Sequence, residues 1–400
     1  MWTKLVPATA LLAAVTLTGT AHASPTSPVG ASPASPLGAS PAAPAMPTAT
    51  GTSPGVPEPV GGERLVRHGM VAPDGVKEPP KTKATSYVIA DADTGEVLAA
   101  KNPHGRYLPA STLKILTAVT LIPLLDRNRT VRPSSVAVNQ EGSAVGLTTK
   151  PIYTVDDLFK ALLMSSGNDA AMALAEANGG VQKTLHDMNA EARHLQANDT
   201  VARTPSGLDE PGQSSSAYDL TLIARAGLAN PAFRRYVSTK VAKFPAPKNY
   251  YEISNHNKLL WRYQGMIGVK NGWTSKALGS FVGAATRDGH TIIVTIMRHE
   301  GYFWEEVAGL LDWGFANRGK VTPVGRLVDP LPAAVPVRER QAAPAPAVSA
   351  SARPSTSLLG AAAATQDDSS RRTGLLVIGG GLLFGLCWLG FGLWRRRSRL

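Results

Sequence analysis

Apolar and polar positions change their spacing along this chain, and the change marks out a central region with strands at its two ends. Ser86-Tyr87-Val88-Ile89-Ala90 reads as a strand, Asp93-Thr94-Gly95 as a turn and Glu96-Val97-Leu98-Ala99 as the returning arm of a hairpin. Apolar residues then recur at helical intervals over about 111–125, 155–164, 168–178, 181–195 and 217–228. After Lys258 the texture changes again: Met266–Lys270, Gly279–Thr286 and His290–Met297 predict strands, and Phe303–Phe315 predicts an amphipathic helix. Strands around a helical middle predict an α/β domain over 85–325 with a helical insertion.

Two further apolar runs lie outside that domain. Residues 1–23 combine Lys4, an apolar stretch from Leu5 to Gly19 and the small-x-small sequence Ala21-His22-Ala23, the layout of a secretory signal peptide. Residues 373–394 carry no charge and are long enough to cross a hydrocarbon core as one helix. The basic tail 395–400, with Arg395-Arg396-Arg397 and Arg399, predicts a cytoplasmic C-terminus. The expectation is a single-pass protein of the cell membrane whose domain faces outward. Gly381 and Gly385 form a GxxxG pair, which a Gly- and Leu-rich span produces readily without any dimer. Between these runs and the domain, 24–84 is read as a disordered Pro/Ala/Ser-rich segment and 326–372 as a Pro/Ala-rich spacer, since neither offers enough apolar surface to offset its ordering entropy.

Composition narrows the chemistry. The 400 residues carry 41 Lys+Arg against 29 Asp+Glu, a net charge of +12. Residues 371–400 hold six Arg and no acid, half of that excess, so the basicity reports the tail and no nucleic-acid partner is expected. The single Cys387 excludes an intramolecular disulfide framework and a Cys-rich zinc site, and inside the apolar run it reads as a filler.

Ser111-Thr112-Leu113-Lys114 opens an apolar helical run, and its spacing puts the Ser hydroxyl and the Lys amine on one face, one turn apart. An amine whose pKa is lowered by burial or a nearby cation can take the hydroxyl proton, and a helix N-terminus offers free N–H groups to a developing oxyanion. Alone, such a pair is more often a cap and a surface Lys. Ser166-Gly167-Asn168 lies at a turn between two helical stretches, 55 residues on, and Lys270-Asn271-Gly272 ends a predicted strand, 104 residues further. A hydroxyl to relay a proton, an amide for a substrate amide and a cation for a carboxylate complete the needs of an activated serine.

Together the elements resemble the S-x-x-K, S-x-N and K-T-G motifs of penicillin-recognising serine enzymes. Leu108–Lys114 (LPASTLK), Leu162–Ala171 (LLMSSGNDAA), Pro205–Tyr218 (PSGLDEPGQSSSAY), Asn255–Leu260 (NHNKLL) and Gly268–Thr274 (GVKNGWT) are similar, in order, to the low-molecular-mass penicillin-binding proteins, the serine D-Ala-D-Ala carboxypeptidases. The resemblance covers about 86–315 and implies the serine β-lactamase/DD-peptidase fold, an antiparallel sheet flanked by helices with a helical subdomain. It implies that Ser111 attacks the penultimate D-Ala carbonyl of a peptidoglycan stem pentapeptide, with Lys114 as general base and Ser166 passing the proton to the leaving D-Ala. Asn168 would meet the substrate backbone, Lys270 would bind the terminal carboxylate and tune the Ser166 hydroxyl, Asn271, Gly272 and Trp273 would join Lys270 in binding substrate, and the N–H groups of Ser111 and Trp273 would form the oxyanion hole. No metal or organic cofactor is implied, and β-lactams should acylate Ser111 as covalent inhibitors.

The sequence departs from the pattern at Asn271, which replaces a Thr expected to contact the carboxylate and predicts altered affinity rather than inactivity. It also lacks room after Phe315 for more than a vestige of a β-rich C-terminal domain. Arg298 reads as an ordinary surface Arg ahead of a second carboxylate contact. Two other readings stand beside the carboxypeptidase. One is a β-lactamase, disfavoured because no E-x-x-L-N segment lies between Asn168 and Lys270; the other is a non-catalytic peptidoglycan-binding scaffold, for which only Asn271 speaks.

Overall fold

A computed structural model of the protein describes residues 60–332. The expected signal peptide, the low-complexity sequence through 59, the spacer beyond 332, the apolar run 373–394 and Cys387 lie outside the described residues. Among those described, no helix is long and apolar enough to cross a membrane.

Strand β1 (Met70–Val71) is followed by the expected hairpin, β2 (Ser86–Asp91) and β3 (Glu96–Lys101). A 3₁₀ turn at Ala110–Leu113 runs into α1 (Lys114–Leu121). The helical middle holds β4 (Thr130–Val131), α2 (Ser135–Val138), β5 (Tyr153–Thr154), α3 (Val155–Met164), α4 (Asn168–Ala177), α5 (Val181–His194), α6 (Ala217–Ala229) and α7 (Pro231–Ser238). The hairpin β6 (Val241–Pro245) and β7 (Tyr250–Ser254), the short α8 (Leu259–Arg262), β8 (Met266–Thr274), β9 (Leu278–Arg287), β10 (His290–His299), α9 (Trp304–Asn317) and β11 (Gly325–Arg326) complete it.

The main sheet has the order β1-β3-β2-β10-β9-β8, with β11 also paired to β3, and every pairing is antiparallel. Its first hairpin thus lies beside the last long strand, with Val88 opposite Thr295 and Ala90 opposite Ile293. Strand β2 is buried at every position, which is why it reads as a continuous apolar run rather than an alternation. Val88 and Ala90 face one core shared with α1, α3, α4 and α6, while Tyr87 and Ile89 face a second core under α9. The helical middle therefore packs on one face of the sheet and α9 covers the other.

Three expectations are corrected. The disordered segment does not run to 84: residues 60–84 are ordered, Leu65 is fully buried and β1 pairs with β3, because Leu65 and Val71 supply apolar anchors that the preceding repeats lack. The ordered domain also passes 325, since β11 pairs with β3 and Leu327 is buried. The helix expected over 111–125 is α-helical only to Leu121, because Pro123 has no N–H to continue it, and it starts as a 3₁₀ turn. Helix α7 and the β6–β7 hairpin were not anticipated. Asn230 caps α7 by accepting from Ala232 N and Phe233 N, with Pro231 at the first helical position, and that signal was present in the sequence.

The two ends of the described chain meet. Arg326 N donates to Gly61 O (2.9 Å), and Tyr218 Oη donates to Arg326 O (2.7 Å) while accepting from Val328 N (3.1 Å).

Candidate active site

The turn carrying Ser111 is held at several points. Ala110 adopts a left-handed φ of 49°, an uncommon conformation for a residue with a Cβ. Pro109 O accepts from Thr112 Oγ1 (2.6 Å) and from Ser280 Oγ on β9 (2.7 Å), which ties the turn to the sheet. Gly207 (φ +81°) packs on it from the other side, and a Cβ there would lie 2.0 Å from Ala110 O, so only glycine lets the Pro205-Ser206-Gly207 segment approach.

That approach completes the surroundings of Lys114, which is fully buried. Its Nζ lies 3.0 Å from Ser111 Oγ, 2.7 Å from Asn168 Oδ1 and 2.6 Å from Ser206 O. The two carbonyl oxygens only accept, so a neutral amine that donates to both has its lone pair left for the Ser111 hydroxyl. Burial holds the Lys114 pKa well below an ordinary lysine, the charge of Lys270 lowers it further, and Asp169 works in the opposite direction.

Asn168 is the first residue of α4, and Ser166 (φ 63°) makes the sharp turn out of α3 that aims it at Lys114. Its backbone N donates to Ser143 O (2.7 Å) and its Nδ2 to Glu141 O (2.6 Å). Asp169 accepts from the N–H groups of Val145, Gly146 and Leu147, so these adjacent residues bind the 141–147 loop to the site. Asn168, expected to meet the substrate backbone, accepts from Lys114 Nζ and donates one Nδ2–H to Glu141 O, so it also positions Lys114 and keeps a second N–H. Ser166 is buried, and among the described residues its hydroxyl makes no hydrogen bond to Ser111, Lys114 or Lys270.

Lys270 is buried on β8, and its Nζ donates to Asn271 O (2.6 Å). Burial brings its pKa down to about 7. Two residues on, a Cβ at Gly272 would lie 2.6 Å from Ser111 N and 2.9 Å from Thr112 N, so the backbone of β8 abuts the turn that carries Ser111. Trp273 follows with its side chain exposed. Asn271 is half-buried on the opposite face of the strand from Lys270. The structure thus gathers Ser111, Lys114, Asn168, Gly272 and Lys270 from the 3₁₀ turn, α1, α4 and β8. Arg298 sits at a bulge in β10 with φ 53°, its guanidinium 5.9 Å from the centre of the Tyr107 ring.

Three contributors were not named as chemistry from sequence. Ser206 acts through its carbonyl, which no side-chain pattern reveals. Glu141 does the same for Asn168. His256 lies beside Lys270, whose charge, after burial, lowers the imidazole pKa, and its backbone N donates to Met164 O (2.9 Å). Asn255 fixes this loop by donating to Val237 O and Thr239 O.

The model of the peptidase S11 family, D-alanyl-D-alanine carboxypeptidase, matches residues 74–301. D-alanyl-D-alanine carboxypeptidase DacB2 of Mycobacterium tuberculosis is 42% identical over 253 residues, 62% of this chain and 87% of that protein. D-alanyl-D-alanine carboxypeptidase DacD of Escherichia coli is 33% identical over 256 residues, 60% of this chain and 65% of its own length. Among solved structures, a D-alanyl-D-alanine carboxypeptidase from Mycobacterium tuberculosis H37Rv aligns with TM-score 0.61 at 39% identity, covering 65% of this chain and all of that one. The Streptomyces K15 DD-transpeptidase aligns with TM-score 0.57 at 28% identity, covering 60% and 100%. With the family model spanning more than half of its length, and Ser111, Lys114 and the Lys270-Asn271-Gly272 motif in one site, the chain belongs to the D-alanyl-D-alanine carboxypeptidase family.

Proposed function

We propose that the protein removes the terminal D-Ala from peptidoglycan stem pentapeptides through an acyl-enzyme on Ser111. The observation that carries this reading is Lys114: a buried amine with two carbonyl acceptors and Ser111 Oγ at 3.0 Å is arranged as a neutral base. In the first half-reaction Ser111 Oγ bonds to the penultimate D-Ala carbonyl carbon while its proton passes to Lys114 Nζ. The N–H groups of Ser111 and Trp273 receive the oxyanion, the C–N bond breaks, and the departing amine takes a proton by way of Ser166. Lys270 holds the carboxylate of the departing residue, and β8, the last strand of the sheet, offers its free edge to the peptide. Water then hydrolyses the ester.

The membrane helix at 373–394 and the signal peptide are part of the same proposal, and place the reaction outside the cell membrane. Intact mass spectrometry after addition of benzylpenicillin tests the nucleophile. A persistent adduct absent from Ser111→Ala, together with D-Ala release from a pentapeptide, is expected. Full D-Ala release by Ser111→Ala would refute the mechanism. Fractionation of cells tests the anchor: truncation after residue 372 should free the protein from the membrane pellet.

A further inference from the structure

Two glycines from different parts of the chain pack against the turn that carries Ser111. A Cβ at Gly207 would lie 2.0 Å from Ala110 O, and one at Gly272 would lie 2.6 Å from Ser111 N. Two residues beyond each glycine the same two segments meet again, where Thr274 Oγ1, at the end of β8, donates to Asp209 Oδ1 at 3.0 Å. Turn, loop and strand therefore form a ring at Ser111 that one side-chain hydrogen bond closes.

The two sides of that bond are held unequally. The loop is braced within itself: Gln213 Oε1 accepts from Arg203 N (3.2 Å), Thr204 N (3.1 Å) and Thr204 Oγ1 (3.1 Å), and Gln213 Nε2 donates to Leu208 O (2.7 Å). Gly207 N adds a bond to Thr204 Oγ1 (3.0 Å). Strand β8 ends the sheet, and among the described residues its one strand neighbour is β9. Thr274 Oγ1 also accepts from Ala277 N (2.9 Å), so its single proton is committed to Asp209 and the hydroxyl ties the turn between β8 and β9 to the loop.

Each side brings one backbone group to the chemistry. The loop supplies Ser206 O, 2.6 Å from Lys114 Nζ. Strand β8 supplies the N–H of Trp273, next to Thr274, which the carboxypeptidase reading makes half of the oxyanion hole. The inference rests on that reading. We propose that Asp209 and Thr274 are positioning residues for acyl transfer, clasping β8 to the loop so that the Trp273 N–H stands where charge develops on the substrate carbonyl oxygen while Ser206 O stays on Lys114. Neither side chain enters the bond changes, and the clasp acts through the backbone on either side of it. A preorganised donor stabilises the oxyanion only in register with it, and a shift of about 1 Å can cost about a hundredfold in rate.

The test uses the full-length protein, with kcat and KM for D-Ala release from an acyl-D-Ala-D-Ala peptide and the acylation rate with a chromogenic β-lactam. Asp209→Ala and Thr274→Val each break the bond and should lower kcat by about five- to twentyfold with KM near wild type, since the lost stabilisation belongs to the transition state. The double variant should be no slower than the slower single variant, because both changes remove the same bond. Asp209→Asn, which keeps an oxygen acceptor, and Thr274→Ser, which keeps the hydroxyl, should recover most of the rate. A wild-type kcat in either single variant, even with a lowered melting temperature, would overturn the clasp and leave the pair a role in stability alone. Losses that multiply in the double variant would also overturn it. So would a loss confined to Asp209→Ala and expressed in KM, which would make Asp209 a direct substrate contact. A wild-type protein that neither reacts with the β-lactam nor releases D-Ala would overturn the carboxypeptidase reading, and the clasp with it.

Discussion

Asn168 gives the sharpest test of how Lys114 is held ready. Replacing it with Ala removes one of the two carbonyl acceptors of a fully buried amine and the donor to Glu141 O. An unpaired buried N–H costs about 1–3 kcal/mol. In the wild type that energy fixes the amine with its lone pair toward Ser111; in Asn168→Ala the N–H must turn to Ser111 or stay unpaired. The acylation rate constant kcat/KM should therefore fall by about 5- to 150-fold. Loss of the Glu141 bond should lower the melting temperature by a few degrees, and wild-type far-ultraviolet dichroism would show that the fold persists. Asn168→Asp separates geometry from charge. It keeps an oxygen beside Lys114 but adds a negative charge that favours the ammonium, so the acid limb of the kcat/KM profile should move to higher pH. Stopped-flow acylation by a chromogenic β-lactam, measured across pH, reads both variants. If Asn168→Ala stays within about twofold of wild type and Asn168→Asp leaves the acid limb in place, then Asn168 does not position the base.

Other outcomes follow from neighbouring groups. Gly272→Ala should slow acylation by about a hundredfold or more in a folded protein, because the new Cβ would sit 2.6 Å from Ser111 N; near-normal acylation would show that β8 tolerates displacement there. Lys270, brought to about 7 by burial, binds the carboxylate only when protonated, so kcat/KM should fall as pH rises through about 7, and a profile flat to strongly alkaline pH would remove it from that role. Asp219, raised to about 7 by burial and then by Asp199, keeps a proton in the folded state that the unfolded chain releases above its ordinary value of 3.8. Stability should accordingly decline as pH rises from about 4 to about 7, and Asp219→Asn should flatten that slope in urea titrations.

The candidate side chains were legible because the chemistry proposed for them requires particular residue types at particular spacings. Ser111 and Lys114 show one helical turn, Ser166 to Asn168 a turn between helices, and Lys270 a strand end. Carbonyl groups leave no such trace, so Ser206 and Glu141 emerged only when the chain was folded around Lys114. The strands of the main sheet were found from apolar runs, but β6 and β7 were not. Val241, Lys243, Tyr250, Tyr251 and Glu252 are exposed and each strand buries one residue, Phe244 or Ile253, which is too little pattern to read. The same reasoning explains the misplaced start of the domain. Leu65 and Val71 are isolated anchors in polar, Pro-containing sequence, and their value depends on β3, some thirty residues away.

The joining of Gly61 to Arg326 also sets how the domain carries load. Strands β1 and β11 both pair with β3, whereas β8 terminates the opposite edge of the sheet, four strand spacings or about 19 Å away. Tension between residues 60 and 332 is taken up first by the bonds of Leu331 N to His194 O and of His104 Nε2 to Val60 O, and then by the backbone bond of Arg326 to Gly61 and the Tyr218 hydroxyl that bridges Arg326 and Val328. The catalytic edge is outside that mechanical path. Force applied at residues 60 and 332 therefore enters the sheet at β1, β3 and β11, four strands from the edge on which Lys270 and Gly272 lie.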